Sequence, residues 1–305
     1  MKIAVSGATG YIGFHLIRKL LSDGDTVLAI TRKLNEKLIA LAYLYTDTLF
    51  FCELISDDAF IIIEQFCPEV IYSTTCCYET DMDFLEKTVD ANYVFPAYLL
   101  KSVVHLNNCQ KQSCISGGGG RRFINLGTSL PAELNLYSLT KKQFAELGEL
   151  FANMGKVQFV NILLESFYGS DEPKSRFILS SVLKLFNNHD LNVTLGTQRR
   201  DYIAAEDVID ILSYLSKAEG LDKGYNAISV GSGCSPSIRE ILEYLKEIIK
   251  SDSTINFGAV PFRINEPNTK ADLTNLRKIG YTKELIYWKD GLRLLVEELK
   301  SENFD

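Results

Sequence analysis

The sequence has little of what three large functional classes require. Its three histidines, His15, His105 and His189, do not fall at metal-ligand spacing from any cysteine, so a zinc-type centre is not expected. Its seven cysteines are odd in number and form no C-x-x-C, which argues against a disulfide framework and for a reduced protein with mostly buried thiols. Positive charge is in deficit: 32 Lys and Arg against 39 Asp and Glu give a net charge of −7. That balance excludes a broad nucleic-acid surface or a polybasic membrane tether, and any anionic ligand must be held by a few local cations. Apolar runs never approach the roughly 18 residues needed to cross a bilayer. "MKIAVSG" leads straight into a strand-like run with no signal-peptide pattern, so a cytoplasmic location is expected. Internal repeats and low-complexity tracts are absent as well.

What the sequence does have is alternation. Short β-rich apolar runs occur at 2–7, 26–31, 48–54, 69–74, 122–127 and 157–164, with helical patterns between them, such as 11–24 and 90–108. This pattern predicts βαβ units and an α/β, Rossmann-type doubly wound parallel sheet buried on both faces. Beyond about residue 165 the alternation breaks. A loop-like "SFYGSDEPKSRF" precedes helical "ILSSVLKLFNN", a strand near "NVTLG" and a last strand at 225–230. A helix is expected from Ser237, where "SIRE" offers a capping box with Glu240. The expected division is 1–165 as the cofactor domain, with 193–230 returning to it, and 166–192 plus 231–305 as a smaller mixed α/β lobe. Gly117–Gly120 with Arg121 and Arg122 reads as a flexible turn into the fifth strand; it precedes a strand rather than a helix, which makes it a poor phosphate cradle.

"GATGYIG" places Gly7, Gly10 and Gly13 after the first strand and at the opening of a helix. The first glycine permits the tight turn. The second lets backbone approach a pyrophosphate, and the third lets helix and strand pack closely, so a dinucleotide is the expected ligand. The second strand ends "AITRK", offering Arg32 and Lys33 where an NAD site prefers a carboxylate. Two cations there suit a 2′-phosphate, and NADP(H) is expected ahead of NAD(H).

In "TSLPAELNLYSLTK", Tyr137 and Lys141 stand four apart, on one face of a helix, and Thr128 precedes the tyrosine by nine residues. An ammonium beside a phenol favours phenolate, which makes the tyrosine a usable proton donor or acceptor. A hydroxyl at the end of the fifth strand can hydrogen-bond a substrate carbonyl, or it can cap the following turn.

These motifs resemble the extended short-chain dehydrogenase/reductase family, the group of nucleotide-sugar epimerases, dehydratases and reductases. The resemblance covers nearly the whole chain: "GATGYIG" and "YSLTK", the Asn-bearing "ANYVFPAYLL", "SFYGSDE", "QRRDYIAAEDVIDIL" and "VPFRINEPNTKADLTNLRKIGY". It implies cofactor contacts from Gly7, Thr9, Gly10, Tyr11, Ile12, Gly13, Arg32, Lys33, Glu53, Leu54, Ser73, Thr74, Asn92, Tyr137 and Lys141. It implies substrate contacts from Tyr78, Thr128, Ser129 and Phe177, with Arg200 and Arg263 on the diphosphate of a nucleotide sugar. A homodimer formed through the fourth and fifth helices is implied too. Glu53 stands where the family usually has Asp, Leu164 where Arg is common, and the nine-residue step from Thr128 to Tyr137 is short.

The 4,6-dehydratases of the family carry Thr-Asp-Glu at the end of the fifth strand; here Thr128-Ser129-Leu130 lacks that acid and base. "NLGTSLP" and "LLESFYGSDEPKSRF" look most like the CDP-abequose synthase-like group of 4-keto-6-deoxyhexose reductases. The resemblance therefore implies NADPH-dependent reduction of the 4-keto group of a CDP- or dTDP-linked sugar in deoxysugar synthesis of the O-antigen type. Thr128, Tyr137 and Lys141 would be its catalytic residues. Two alternatives remain open at this point: a nucleotide-sugar 4-epimerase that retains NAD, and a non-catalytic NADPH-sensing regulator on the same fold.

Overall fold

The computed structural model describes residues 1–54, 59–108, 120–262 and 266–302. The order begins β1 (Lys2–Ser6), α1 (Tyr11–Ser22), β2 (Thr26–Thr31), α2 (Glu36–Leu44), β3 (Leu49–Glu53), α3 (Ala59–Phe66) and β4 (Val70–Ser73). A helix α4 (Leu85–Val89) then runs through a π turn at Asp90–Val94 into α5 (Phe95–Asn108), followed by β5 (Arg122–Leu126), α6 (Leu136–Asn153) and β6 (Gln158–Leu164). Next come β7 (Ser166–Tyr168), α7 (Phe177–Phe186), β8 (Leu191–Val193), β9 (Tyr202–Ala204), α8 (Ala205–Lys217) and β10 (Tyr225–Val230). The order closes with α9 (Ile238–Ile249), β11 (Ile255–Phe257), α10 (Thr274–Lys278) and α11 (Trp288–Glu302).

Contacts divide the chain into two units. The first comprises Met1–Leu164, Ile209–Ile228 and Asn275–Tyr281; the second comprises Glu165–Val208, Ser229–Thr274 and Thr282–Asp305. Residues 193–208, expected with the first, fall in the second, because β8 pairs with β11 and β9 with β7 rather than with the large sheet.

The first unit is built on a sheet of order β10-β6-β5-β4-β1-β2-β3, parallel through β1/β2, β1/β4, β2/β3, β4/β5 and β5/β6. Both faces are covered, so β1, β2 and β5 read as apolar runs rather than as alternations. Phe123 and Phe159, neighbours in the β5/β6 register, stack at 5.4 Å, and Phe144 of α6 packs edge-on to Phe159 at 5.9 Å. Gly148 is required under that cluster: a Cβ there would come within 2.1 Å of the Phe159 ring. The order reverses between β1 and β4, which opens a crevice at the carboxyl ends of those two strands. Two arginines expected in a loose turn are fixed. Arg121 is fully buried, its guanidinium donating to Pro68 O, Leu106 O and Cys67 Sγ, while Arg122 donates to Leu215 O and Ala218 O. Buried guanidinium donors must be satisfied, and backbone carbonyls around the start of β5 do so. Gly117–Gly119 lie outside the described residues.

The second unit has its own core, in which Ile178, Val182 and Leu185 of α7 meet Ile241, Leu242 and Leu245 of α9 and Trp288, Leu292 and Val296 of α11. Its α9 begins as the sequence predicts: the Ser237 side chain accepts from the Glu240 amide, and the Glu240 carboxylate accepts from the Ser237 amide.

Candidate functional site

The glycine turn lies at the reversal point of the first unit's sheet. Gly7 has φ +68°, a conformation L side chains rarely adopt, and a Cβ on it would meet Thr74 Oγ1 at 2.8 Å and the Thr75 amide at 2.9 Å. A Cβ on Gly13 would come within 2.3 Å of Gly7 O, so α1 packs directly on the turn. Helix α1 starts after Gly10 with no side-chain cap and no acidic residue in its first turn. Its first amide donors therefore receive no side-chain cap from Gly10, and the partial positive charge of the helix end favours an anion there. This arrangement fits the diphosphate of a dinucleotide.

The remaining expected cofactor residues are placed around this turn. Thr9 Oγ1 lies 3.5 Å from Thr31 Oγ1, and Thr31 exchanges hydrogen bonds with Lys33, donating to its carbonyl and accepting from its amide. Arg32 and Lys33 follow β2 with exposed side chains. The Tyr11 ring lies tilted against that of His15 at 4.7 Å, and Ile12 is buried. Glu53 closes β3, Leu54 follows it, and both are half-buried. Ser73 ends β4 fully buried, and Thr74 donates to Ser6 O at 2.6 Å.

Tyr137 and Lys141 belong to α6, whose start is set by a capping box. The Asn135 side chain accepts from the Ser138 amide, and Ser138 Oγ accepts from the Asn135 amide. Tyr137 is thereby held in the first turn, with Lys141 one turn later on the same face. Lys141 is 2 % exposed and its ammonium donates to Thr75 O and Leu126 O, both at 3.0 Å. Burial pulls its pKa below the usual lysine value, opposed by the thiol of Cys76. The loop after β4 is thus tied to α6 at several points. Thr75 accepts from Lys141, and the Tyr78 ring lies 4.9 Å from that of Tyr137. Asn92, fully buried in the π turn, accepts from the Cys77 amide and donates to Cys77 O, both at 2.9 Å, and to Thr140 Oγ1 at 3.2 Å. Its amide is therefore committed to holding the loop against α6.

Thr128 is buried and its hydroxyl oxygen accepts from the Leu130 amide at 3.2 Å, so it makes the turn-capping contact; the same hydroxyl still carries one O–H donor. Ser129, its neighbour, is more exposed and donates its amide to Leu164 O. Gly127 positions both. A Cβ there would meet Asn161 Oδ1 at 2.6 Å, the atom that accepts from Asn125 across the β5/β6 register.

In the second unit, a cavity of about 490 Å³ is lined by β7, β8, β9 and the start of α7, with Phe167, Phe177, Tyr202 and Val193 as walls and Glu172, Arg176, Lys184 and several serines as polar groups. Phe177, expected on the substrate, stacks against Tyr202 at 6.3 Å. Arg200 pairs with Glu266 at 2.8 Å and also donates to Pro267 O. Arg263, the other expected diphosphate ligand, lies outside the described residues. Beside Arg200, the fully buried Asp201 accepts from the amides of Ser232, Gly233 and Ala271 and from Ser232 Oγ.

Residues 3–231 of this chain match the NAD dependent epimerase/dehydratase family. The chain belongs to that family. As a member it is an NAD(P)-dependent enzyme. Among curated relatives, it is 29 % identical to a CDP-abequose synthase of Salmonella typhimurium, covering 97 % of this chain and 98 % of that one. It is 27 % identical to a CDP-abequose synthase of Salmonella muenchen, covering 96 % and 97 %. Its fold matches that of a UDP-glucose 4-epimerase from Thermotoga maritima with TM-score 0.81 over 99 % of this chain and 100 % of the other, at 19 % identity. Sequence reasoning missed the Glu172 cavity and the knot at Asp201. The "RRD" run signalled the second without saying what the carboxylate holds, and the cavity had no local signal.

Proposed function

We propose that this protein reduces the 4-keto group of a nucleotide-linked 4-keto-6-deoxyhexose with NADPH, on a CDP- or dTDP-linked sugar. The observation that carries the reading is the Tyr137/Lys141 pair of α6, with Lys141 buried and hydrogen-bonded to the ends of two strand–loop junctions. End-to-end similarity to two CDP-abequose synthases supports the substrate class. The exposed Arg32 and Lys33 after β2 support NADPH over NADH, since two cations suit a 2′-phosphate. A homodimer is part of the same reading.

When bound, the nicotinamide supplies the hydride. The chain's own residues do the rest. Gly7, Gly10 and the first turn of α1 hold the diphosphate; Arg32 and Lys33 hold the 2′-phosphate. Tyr137 gives its phenolic proton to O4 of the sugar as that oxygen gains charge, and the Lys141 ammonium stabilises the phenolate left behind. Thr128 donates its hydroxyl hydrogen to the same oxygen.

The test is absorbance at the reduced-nicotinamide band with NADPH or NADH and a panel of CDP-, dTDP-, UDP- and GDP-linked 4-keto-6-deoxyhexoses. Stoichiometric NADPH loss with a CDP- or dTDP-sugar is the expected result. Interconversion of 4-hydroxy epimers without net loss of reduced cofactor would replace the reductase with an epimerase. NADPH binding without turnover of any sugar would favour a sensing role.

A further inference from the structure

The loop that follows β4 brings an aromatic ring against the start of α6. Its backbone is fixed to the helices at two points. Thr75 O accepts from the Lys141 ammonium at 3.0 Å, and Cys77 is held through both its amide and its carbonyl by Asn92, which also donates to Thr140 Oγ1. Tyr78 comes directly after this clamp, and its ring lies 4.9 Å from that of Tyr137, tilted by 34°. That separation is within the range over which aromatic pairs attract. Loop and helix therefore meet in matched order, Thr75 on Lys141 and Tyr78 on Tyr137.

The two members of the helical pair are not equally constrained by the core. Lys141 is buried and its ammonium is tied to two carbonyls. Tyr137 stands in the first turn of α6 and is half-buried, so the core does not close around its ring. Two side-chain torsions separate its backbone from the phenol oxygen. Proton delivery needs that oxygen within hydrogen-bond reach of its acceptor, and a misplacement of ~1 Å can cost on the order of 10²-fold in rate. Tyr78 itself is 55 % exposed, and the apolar cluster beneath α5 and α6 is built without it.

We propose that Tyr78 is a positioning residue for proton delivery: its ring braces that of Tyr137 while the same loop holds Lys141 through Thr75, so one segment sets the spacing of both groups. The inference rests on the reductase reading above and goes beyond the sugar contact that the resemblance implies for Tyr78. A brace and a sugar contact differ in what they change. A contact made equally to the bound sugar and to the transition state alters KM. A brace alters the fraction of molecules whose phenol is aimed at the acceptor, and so alters kcat. Aromatic pairs of this kind shift a local equilibrium by about two- to twelve-fold.

The test compares Tyr78→Leu and Tyr78→Phe with wild type in NADPH oxidation by the 4-keto sugar, in H2O and in D2O, with NADPH binding followed by fluorescence. Tyr78→Leu keeps apolar bulk and removes the ring. Its kcat should fall at least about five-fold, with the KM for sugar and the Kd for NADPH within about two-fold of wild type. Its solvent isotope effect on kcat should rise, because proton delivery has become the slower step. Tyr78→Phe keeps the ring and should retain kcat within about two-fold. A Tyr78→Leu enzyme with unchanged kcat, one whose loss falls on KM, or a Tyr78→Phe enzyme as slow as Tyr78→Leu would overturn the brace and leave the reductase reading standing. A Tyr78→Leu protein that no longer binds NADPH would overturn it too, since the ring would then be holding the fold rather than the phenol. Absence of sugar turnover by wild type with NADPH bound would overturn both.

Discussion

Replacing Lys141 by methionine separates chemistry from folding. The substitution keeps the stem that packs under the β4 loop and deletes the ammonium, with its two bonds to Thr75 O and Leu126 O. Each hydrogen bond from a charged donor contributes about 1.5–3 kcal/mol, so their loss alone would cost roughly 3–6 kcal/mol. Against this stands the desolvation of a nearly fully buried cation, an effective penalty of several kcal/mol. The direction of the Lys141 pKa shift decides which is larger. It is lowered, with burial as the leading cause, so the surroundings do not fully offset the cost of keeping the charge. The net change in stability should therefore lie within about 2 kcal/mol of zero. Turnover of the 4-keto sugar should fall by about 10²–10⁴, the range that proton-transfer groups supply. Urea denaturation followed by circular dichroism, beside NADPH oxidation, reads both quantities.

The pH dependence gives a second check on the same variant. Between the lowered folded-state pKa and the ordinary lysine value of 10.5, the unfolded chain holds a proton that the folded protein has released. Wild-type stability from this group thus rises with pH through that window and is diminished below it, and K141M should lack the rise. A K141M protein that is destabilised by more than about 4 kcal/mol, or one that retains turnover within ten-fold of wild type, refutes the reasoning.

Three further substitutions test other parts of the architecture. Gly13→Ala places a Cβ 2.3 Å from Gly7 O and should lower NADPH affinity at least ten-fold while costing about 1–3 kcal/mol of stability, measured by fluorescence titration and thermal melting. The pair Arg32→Glu and Lys33→Glu should raise the Kd for NADPH by more than ten-fold and leave that for NADH within about three-fold; equal losses for both cofactors would remove the 2′-phosphate role. Asp201→Ala removes the acceptor of the buried Ala271 amide, of the partly buried Ser232 and Gly233 amides and of the Ser232 hydroxyl, and at about 1–3 kcal/mol for a stranded buried group should cost roughly 2 kcal/mol or more in urea, with Asp201→Asn recovering part of it.

The local devices of this protein were legible from its residues because their physics is local. Alternating apolar runs implied the parallel sheet, "GATGYIG" implied the turn that Gly7 makes at φ +68°, and "SIRE" implied the capping box at Ser237. The four-residue step from Tyr137 to Lys141 put both on one face of α6 before any fold was known. What only the tertiary structure decided is where charge ends up without water. Arg121 looked like part of a loose basic turn and is buried under three carbonyl and thiol acceptors drawn from up to 54 residues away. Asn92 gave no sign of its partners in the chain, and its amide bonds to Cys77 and Thr140, 15 and 48 residues away. Glu172 carried no signal in the chain at all, since its burial beside Arg176 exists only once the second unit folds around it. Period and turn chemistry act over a few bonds, whereas desolvation and long-range hydrogen bonding depend on partners that the chain brings together only by folding.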